Sequence, residues 1–269
     1  MNIMKIIVFI EQIVSTQVKL KGVDYFDSSR VSEDDLVINP SSKNALEGAL
    51  KLKDQLGAEV TAVCVRGLKP NKALREAIAM GCTDAIEIAD ETIYTDDTLL
   101  LAKVYVEALG KIGEFDLVFL GVEEQSTGFY AIGAMLSEKL GLPSVLYAEE
   151  LEVIDSGYKI GHVLEGGRKI VAMPSKGVIS CSDSQYFTPR YTSMRGILTA
   201  KRAEIPKWTA ADLGLSSSVV GKEAASLIEV SFSNIVLEKE SYIIKEGEPE
   251  EKVENLLAKL KEDEIKLGA

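Results

Sequence analysis

The sequence predicts an α/β fold: a doubly wound, mostly parallel sheet with antiparallel additions and a C-terminal arm. Apolar runs of strand length alternate with helical patterns over the first 142 residues, which is typical of parallel sheets. The run at residues 117–121 is strongly apolar, which indicates a buried parallel strand. After Pro143, strand-like segments follow one another with Gly-containing turns, which indicates antiparallel additions to the sheet.

A long connection separates the first strand from the first helix. Residues 5–10 form an apolar, β-branched run and are expected to be the first strand. Residues 14–38 are polar and irregular, and connections of this length in compact domains are usually functional. Asn39, followed by Pro40, marks a helix start, and the apolar stripe behind it ends at Gly57.

The remaining elements follow from the same patterns. Either Asp96 or Asp97 is expected to cap a long helix. Helices are predicted at residues 70–81, 98–112 and 134–142, and a short one within residues 189–203. Further strands are predicted at residues 59–65, 85–88, 116–121, 145–154, 158–164, 169–173 and 177–181. The composition shifts near residue 206, and the last 34 residues carry ten acidic and six basic residues. Residues 1–205 are therefore predicted to form the main domain and residues 206–269 an arm that docks on a partner.

The composition excludes several classes of function. The formal net charge of −12 argues against nucleic acid as a partner, because phosphate backbones require a basic surface. No apolar run approaches the roughly 20 residues that a membrane span requires, and the short apolar start lacks a signal-cleavage pattern. The three cysteines lack metal-ligand spacing, so no metal site is predicted and buried thiols in a reducing cytoplasm are expected.

Side chains suited to catalysis are scarce. The single histidine, His162, lies in an alternating stretch beside Gly161, with no nucleophile motif near it. We therefore assign no catalytic residue and expect any chemistry to belong to a bound cofactor.

The junction after the strand at residues 116–121 is a candidate phosphate site. Ser126, Thr127 and Gly128 would present hydroxyl and N–H groups at the positive end of a helix, although helix capping alone explains the same residues. Because ligands of doubly wound sheets sit at strand carboxyl ends, the loops after residues 10, 65 and 121 are expected to meet around one ligand. The other candidates for this site are Phe9, Ile10, Asn39, Pro40, Val65, Phe129, Ala131 and Gly133.

Several of these candidates have a structural alternative. Asn39 either contacts an adenine or ribose or simply caps its helix. Phe9 and Ile10 either touch an adenine face or belong to the core. The sequence leaves both choices open.

Six segments resemble the β subunits of electron transfer flavoproteins in their order and spacing, over roughly residues 1–214. These segments are residues 38–47 (INPSSKNALE), 74–81 (LREAIAMG), 115–121 (FDLVFLG), 164–167 (LEGG), 189–197 (PRYTSMRGI) and 208–214 (WTAADLG). The resemblance covers most of the chain. It implies the adenine-nucleotide-binding fold of that family.

The resemblance also implies a heterodimer. The partner would be an α subunit that carries flavin adenine dinucleotide (FAD), while this chain would hold AMP or, in bifurcating members, a second FAD. Electrons would arrive from an acyl-CoA-type or other dehydrogenase and leave to an acceptor. The dehydrogenase would dock on a recognition loop whose residues here are Tyr191, Met194, Arg195 and Ile197. By resemblance the chain is an electron carrier and not an enzyme.

The chain departs from the family pattern at its nucleotide loop. The family has Asp-Gly-Asp-Thr and then a Gln, whereas this chain has Ser126-Thr127-Gly128-Phe129 and Ala131. Glu11 replaces a family Lys, and His162 replaces an Arg. AMP and FAD therefore both stay open, as does bifurcation. Two other functions also stay open: a stand-alone adenine-nucleotide-binding or sensor module, and a scaffold subunit without nucleotide.

Overall fold

The computed structural model describes residues 3–15, 31–65, 69–123, 130–227 and 241–265. The chain divides into two compact units, Met1–Phe232 and Ser233–Ala269. The described part of the first unit is a nine-stranded sheet with helices on both faces, and that of the second contains the helix α7 (Pro249–Glu262). Docking of an arm on a partner stays a prediction.

The strands of the described residues fall into one large sheet and one small ribbon. They are β1 (Lys5–Ile10), β2 (Gln12–Val14), β3 (Leu36–Ile38), β4 (Glu59–Cys64), β5 (Asp84–Ile88), β6 (Leu117–Gly121), β7 (Ser144–Ile154), β8 (Gly157–Leu164), β9 (Gly167–Met173), β10 (Gly177–Cys181) and β11 (Lys207–Trp208). The large sheet has the order β11-β5-β4-β1-β6-β10-β7-β8-β9, and β2 pairs with β3 in the ribbon. All neighbours from β11 to β7 are parallel, whereas β7, β8 and β9 are antiparallel. The predicted fold class is confirmed.

The signals predicted at Asn39, Gly57 and Asp97 all lie at helix ends. The described residues of the first unit include the α-helices α1 (Pro40–Leu56), α2 (Pro70–Met80), α3 (Thr98–Ile112), α4 (Ile132–Leu140), α5 (Met194–Arg202) and α6 (Ser217–Val220). The Asn39 side chain caps α1, and Gly57 ends this helix in left-handed backbone with a φ of +71°. Asp97, one of the two candidates, caps α3 with its carboxylate. Within the described ranges, no helix combines the length and apolarity needed to cross a bilayer.

Strand β1 lies between two hydrophobic cores. Ile6, Val8 and Ile10 belong to the core that the sheet shares with α1 and α2. Ile7 and Phe9 alternate with them and belong to the core shared with α3 and α4. Because both faces of the strand are buried, its sequence is a continuous apolar run without alternation.

Among the details that differ from the sequence prediction, two concern β10 and β3. The strand at residues 177–181 was expected among the antiparallel additions, but β10 lies between β6 and β7 and is parallel to both. The stretch at residues 14–38 was expected to be irregular throughout, but β3 at its end pairs with β2, while residues 16–30 lie outside the described residues. Strands of three residues are too short to produce a recognisable period.

Candidate functional site

The chain changes direction at β1, which creates the crevice where doubly wound sheets usually bind ligands. From β1 it moves outward through β4 to β5 and then returns to form β6 on the other side of β1. The register pairs Ile10 with Cys64 and Phe9 with Leu120, so the three strands end side by side. The connections after residues 10, 65 and 121 therefore start from the same edge of the sheet.

The crevice is narrow because two aromatic rings fill its floor. Phe9 stacks on Tyr105 of α3 with ring centroids 3.8 Å apart and planes inclined by 9°. Both rings are buried, and the hollow that they line has a volume of about 20 Å³. This is room for about one water molecule. The geometry therefore favours the core explanation for Phe9 and Ile10, and a larger ligand would have to lie outside these rings.

Asn39 ties the ends of β1 and β6 to the start of α1. Besides capping α1, its side-chain amide donates hydrogen bonds to the Glu11 carboxylate at 2.7 Å and to the Glu123 carbonyl at 3.0 Å. Its backbone N–H donates to the Glu11 carbonyl at 2.8 Å. The Asn39 side chain is buried and both amide hydrogens are used. A ligand could accept a hydrogen bond from this amide only after one of these bonds breaks.

The walls around Asn39 are formed by residues for which no role in the site is predicted from the sequence. A Cβ at Gly121 would lie 2.6 Å from the Ser41 hydroxyl oxygen, so only glycine lets β6 and α1 approach this closely. The Ser42 hydroxyl accepts the Glu11 N–H at 3.1 Å, and the Ser41 hydroxyl accepts the Glu123 N–H at 3.2 Å. The sequence signal that could have indicated these residues is a glycine at the end of a buried strand together with a Ser-Ser pair at a helix start.

An open groove adjoins the narrow crevice. Its volume is about 720 Å³, which is within the usual range for ligand sites. Its walls come from the β2–β3 ribbon, the first turn of α1 and the segments that follow β6 and β10, and Glu123 lines both hollows. Among the predicted site residues, Asn39 and Pro40 line this groove, whereas Phe9 and Ile10 line the crevice.

The predicted phosphate loop falls almost entirely outside the described residues, namely Ser126, Thr127, Gly128 and Phe129. Ala131 directly precedes α4 and provides no side-chain cap. A Cβ at Gly133 would come within 2.9 Å of Leu146 and 3.0 Å of Leu120, so close packing of α4 on the sheet explains this glycine by itself. Val65 is buried in the core.

Two tyrosines stand beside Glu123 at the same edge. Tyr130 is 48% exposed and stacks with Tyr147 at a centroid distance of 6.4 Å. The negative charge of Glu123 raises the pKa of Tyr130. Tyr147 has a φ of +56°, and it lies where the pairing of β7 with β10 shifts its register. Backbone strain of this kind is often found at functional edges of a fold.

The histidine and the cysteines, which are the side chains most suited to catalysis, occupy hydrogen-bonded or buried positions in the fold. The Nδ1 atom of His162 hydrogen-bonds to the Leu146 carbonyl on β7, which gives this histidine a structural contact. The three cysteines are free thiols and all are buried. In the part of the chain that the structure describes, no three His, Cys, Asp or Glu side chains cluster as metal ligands.

The predicted recognition segment presents large apolar side chains to solvent. Tyr191 is 98% exposed and Met194 is 76% exposed. Arg195 is also exposed, whereas Ile197 packs partly against the core. Leu198, one helical turn after Met194, is 54% exposed and extends the apolar face. The structure thus brings three of the four predicted recognition residues to the surface and adds Leu198.

In comparisons with known proteins, the chain is similar to electron transfer flavoprotein subunits. Residues 30–213 match the model of the electron transfer flavoprotein domain. The electron transfer flavoprotein subunit beta of Clostridium acetobutylicum is 33% identical over 210 residues, which cover 76% of this chain and 80% of the relative. The subunit of the same name in Thermoanaerobacterium thermosaccharolyticum is 30% identical over 225 residues, or 83% and 85% of the two chains. Subunit CarD of the caffeyl-CoA reductase-Etf complex of Acetobacterium woodii is 28% identical over 190 residues, or 70% and 72%.

Proposed function

Because this chain belongs to the electron transfer flavoprotein family, we propose that it is the β subunit of a two-chain electron carrier. The α subunit carries FAD, this chain carries AMP or a second FAD, and electrons pass from a dehydrogenase to an acceptor. The chain binds and positions its nucleotide and shields the flavin of the α subunit, and it makes or breaks no covalent bonds itself. Its matches to relatives named as electron-transfer subunits support this role.

The observation that carries the proposal is the open groove at the carboxyl edge of the sheet. Its volume of about 720 Å³ suits a flat ring system. Its wall is rigid, because Pro40 has a fixed φ and the Asn39 side chain makes three hydrogen bonds. We assign this groove to the flavin ring of the partner subunit. When bound, the flavin supplies the electron-accepting group.

The adenine nucleotide of this chain is assigned to the outer mouth of the crevice. The crevice holds only about 20 Å³ above the Phe9–Tyr105 stack, so the nucleotide lies outside these rings. The N-terminus of α4 reaches this edge, and the N–H groups at a helix N-terminus attract phosphate. AMP and FAD share an adenosine phosphate, so this assignment serves both cofactors.

Two surfaces are assigned to protein partners. The exposed face of Tyr191, Met194 and Leu198 receives an acyl-CoA-type or other dehydrogenase. On α7 the side chains of Val253, Leu256 and Leu257 are about half exposed, and docking of this helix on the α subunit would bury them. The three buried free thiols suit a reducing compartment, and we place the protein in the cytoplasm.

Co-expression with an electron transfer flavoprotein α subunit from the same organism tests the proposal. We expect a yellow two-chain complex that releases FAD and AMP, or two FAD molecules, when its small molecules are analysed by mass spectrometry. An acyl-CoA dehydrogenase with its substrate should reduce the complex. A colourless monomer that binds AMP would instead favour a stand-alone module, and a two-chain complex that releases no adenine nucleotide other than one FAD would favour a scaffold subunit.

A further inference from the structure

The recognition segment, residues 189–202, cannot hold its shape through its exposed side chains. Tyr191 and Met194 project into solvent and contribute little packing to the fold. The helix α5 has nine residues, and isolated helices shorter than about 12 residues are marginal in water. The shape of the segment must therefore come from contacts with the rest of the domain.

An arginine fixes the start of the segment to α1. Arg190, directly before Tyr191, donates from Nε to Glu47 Oε2 at 2.8 Å and from Nη2 to Glu47 Oε1 at 2.9 Å. Its backbone N–H also donates to Glu47 Oε2 at 3.1 Å, and Nη2 lies 2.9 Å from Asp54 Oδ2. The Glu47 residue is only 4% exposed. A two-point contact between guanidinium and carboxylate sets orientation as well as distance.

A second arginine fixes the end of the segment to α2. Arg75 donates from Nη1 to the carbonyl of Ala200 and, at 3.3 Å, to that of Ala203. Its own orientation is set by Nε, which donates to Asn71 Oδ1 at 2.8 Å. The Ala200 carbonyl lies in the last turn of α5 and the Ala203 carbonyl directly after it, where helix carbonyls lack intrahelical partners and favour a cation.

Close packing joins the two ends. A Cβ at Gly196 would lie 2.2 Å from the Ala79 carbonyl oxygen, so α5 lies directly against the end of α2. Ala200 is buried, and Ile197 packs against the same core. The inner face of α5 is therefore anchored between two arginine contacts, while its outer face stays free.

We propose that Glu47 and Arg75 are positioning residues that hold the recognition segment in its docking shape before a partner arrives. The proposal rests on the function proposed above, which makes this segment the dehydrogenase docking site. A segment that is already ordered loses less conformational entropy on association, so partner affinity depends on these contacts. Neither residue touches the outer face that the partner would meet.

The test compares matched variants in the complex with the α subunit. The double variant Glu47→Leu/Arg190→Met removes both charges together, because removal of one would strand the other in a buried site. Arg75→Met is a second variant that leaves α1 unchanged. The control, Glu152→Leu/Lys159→Met, removes an ion pair of 3.1 Å between β7 and β8.

Two readouts separate positioning from general stability. Amide hydrogen exchange at residues 194–202 should become about tenfold faster in both variants, with the strands of the sheet unchanged. With the complex as electron acceptor for an acyl-CoA dehydrogenase, its KM should rise about fivefold while kcat stays within about twofold. The control should change neither readout.

The possible failures are distinguishable. Unchanged exchange at residues 194–202 would overturn the inference even if the wild-type complex accepts electrons. Faster exchange with an unchanged KM would show that the contacts serve stability alone, which also overturns it. A wild-type complex that no dehydrogenase reduces would overturn the proposed function, and the docking role with it.

Discussion

Gly121→Ala should force apart the end of β6 and the start of α1. The added Cβ would lie 2.6 Å from the Ser41 hydroxyl oxygen and 2.8 Å from both the Ser41 carbonyl carbon and the Ser42 nitrogen. The last two atoms are backbone, so no side-chain rotation relieves the clash. Ordinary contacts begin near 3.4 Å, so the first turn of α1 must retreat by about 0.6 Å.

The cost of this displacement exceeds the gain from replacing a glycine. Overpacking costs about 1–3 kcal/mol, and alanine in a strand recovers about 0.5–1 kcal/mol. The middle of the two ranges gives a net loss of about 1 kcal/mol, which corresponds to a Tm about 2–4 °C lower for a domain of this size. The Ser41 hydroxyl would also lose the Glu123 N–H, so the complex should release its nucleotide more readily.

Thermal unfolding, urea unfolding and the nucleotide content of the purified complex measure these effects. The control is Gly110→Ala in α3, where an added Cβ meets nothing within 4 Å. This change should stabilise the chain by up to about 1 kcal/mol, because alanine is the better helix former. If Gly121→Ala is as stable as the wild type, the close approach of α1 to β6 is not as described and the reasoning fails.

Three further predictions concern charge, thiols and docking. Burial raises the pKa of Asp97, but hydrogen bonds from the N–H groups of Leu227, Leu100, Ser226 and Leu99 outweigh it and hold this pKa below its usual value. The carboxylate therefore contributes its full stability above about pH 4 and loses it as the pH falls further. When urea unfolding is measured at pH 7 and at pH 3, the free energy of unfolding of Asp97→Asn should fall less between the two pH values than that of the wild type. An equal fall in both proteins would contradict this. Burial raises the pKa of Cys82 to about 12, and the other two cysteines are also buried. A thiol reagent at pH 8 should therefore label none of the thiols of the folded chain but all three after unfolding. Rapid labelling of the folded chain would argue against the described core. Met194→Ala should change the free energy of unfolding by no more than about 0.5 kcal/mol yet slow reduction of the complex by the dehydrogenase. The control Leu56→Ala, at an exposed apolar residue outside the segment, should leave the rate of reduction unchanged. Equal rates for both variants would remove Met194 from the docking surface.

The parallel core was predictable because each buried strand and each capped helix carries its own local signal. Strand β1 contacts apolar cores on both faces, so its sequence shows a continuous run whatever its neighbours are. The position of β10 had no local signal, because the insertion of a strand between β6 and β7 depends on pairing between segments remote in sequence. The β2–β3 ribbon escaped prediction because three residues do not establish a period.

The site was only partly predictable for a similar reason. The sequence leaves Asn39 as either a helix cap or a ligand contact, and the structure shows the cap together with hydrogen bonds to Glu11 and Glu123. Those partners lie far from Asn39 in sequence, so no spacing rule links them. In α5 the predicted docking residue Ile197 packs partly against the core, whereas Leu198 is 54% exposed. Neighbouring residues of a helix point about 100° apart, and the sequence alone does not show which of the two faces the solvent.

The rims of the nine-stranded sheet resist recruitment of another strand. β11 has only two residues, and most of β9 is exposed, with Arg168 paired across the sheet to Glu149 and Glu150. Arg168 and Lys169 place positive charge on this edge strand, a device by which proteins discourage edge-to-edge aggregation. Contacts with other chains are thereby directed to helices and loops and away from the sheet edges.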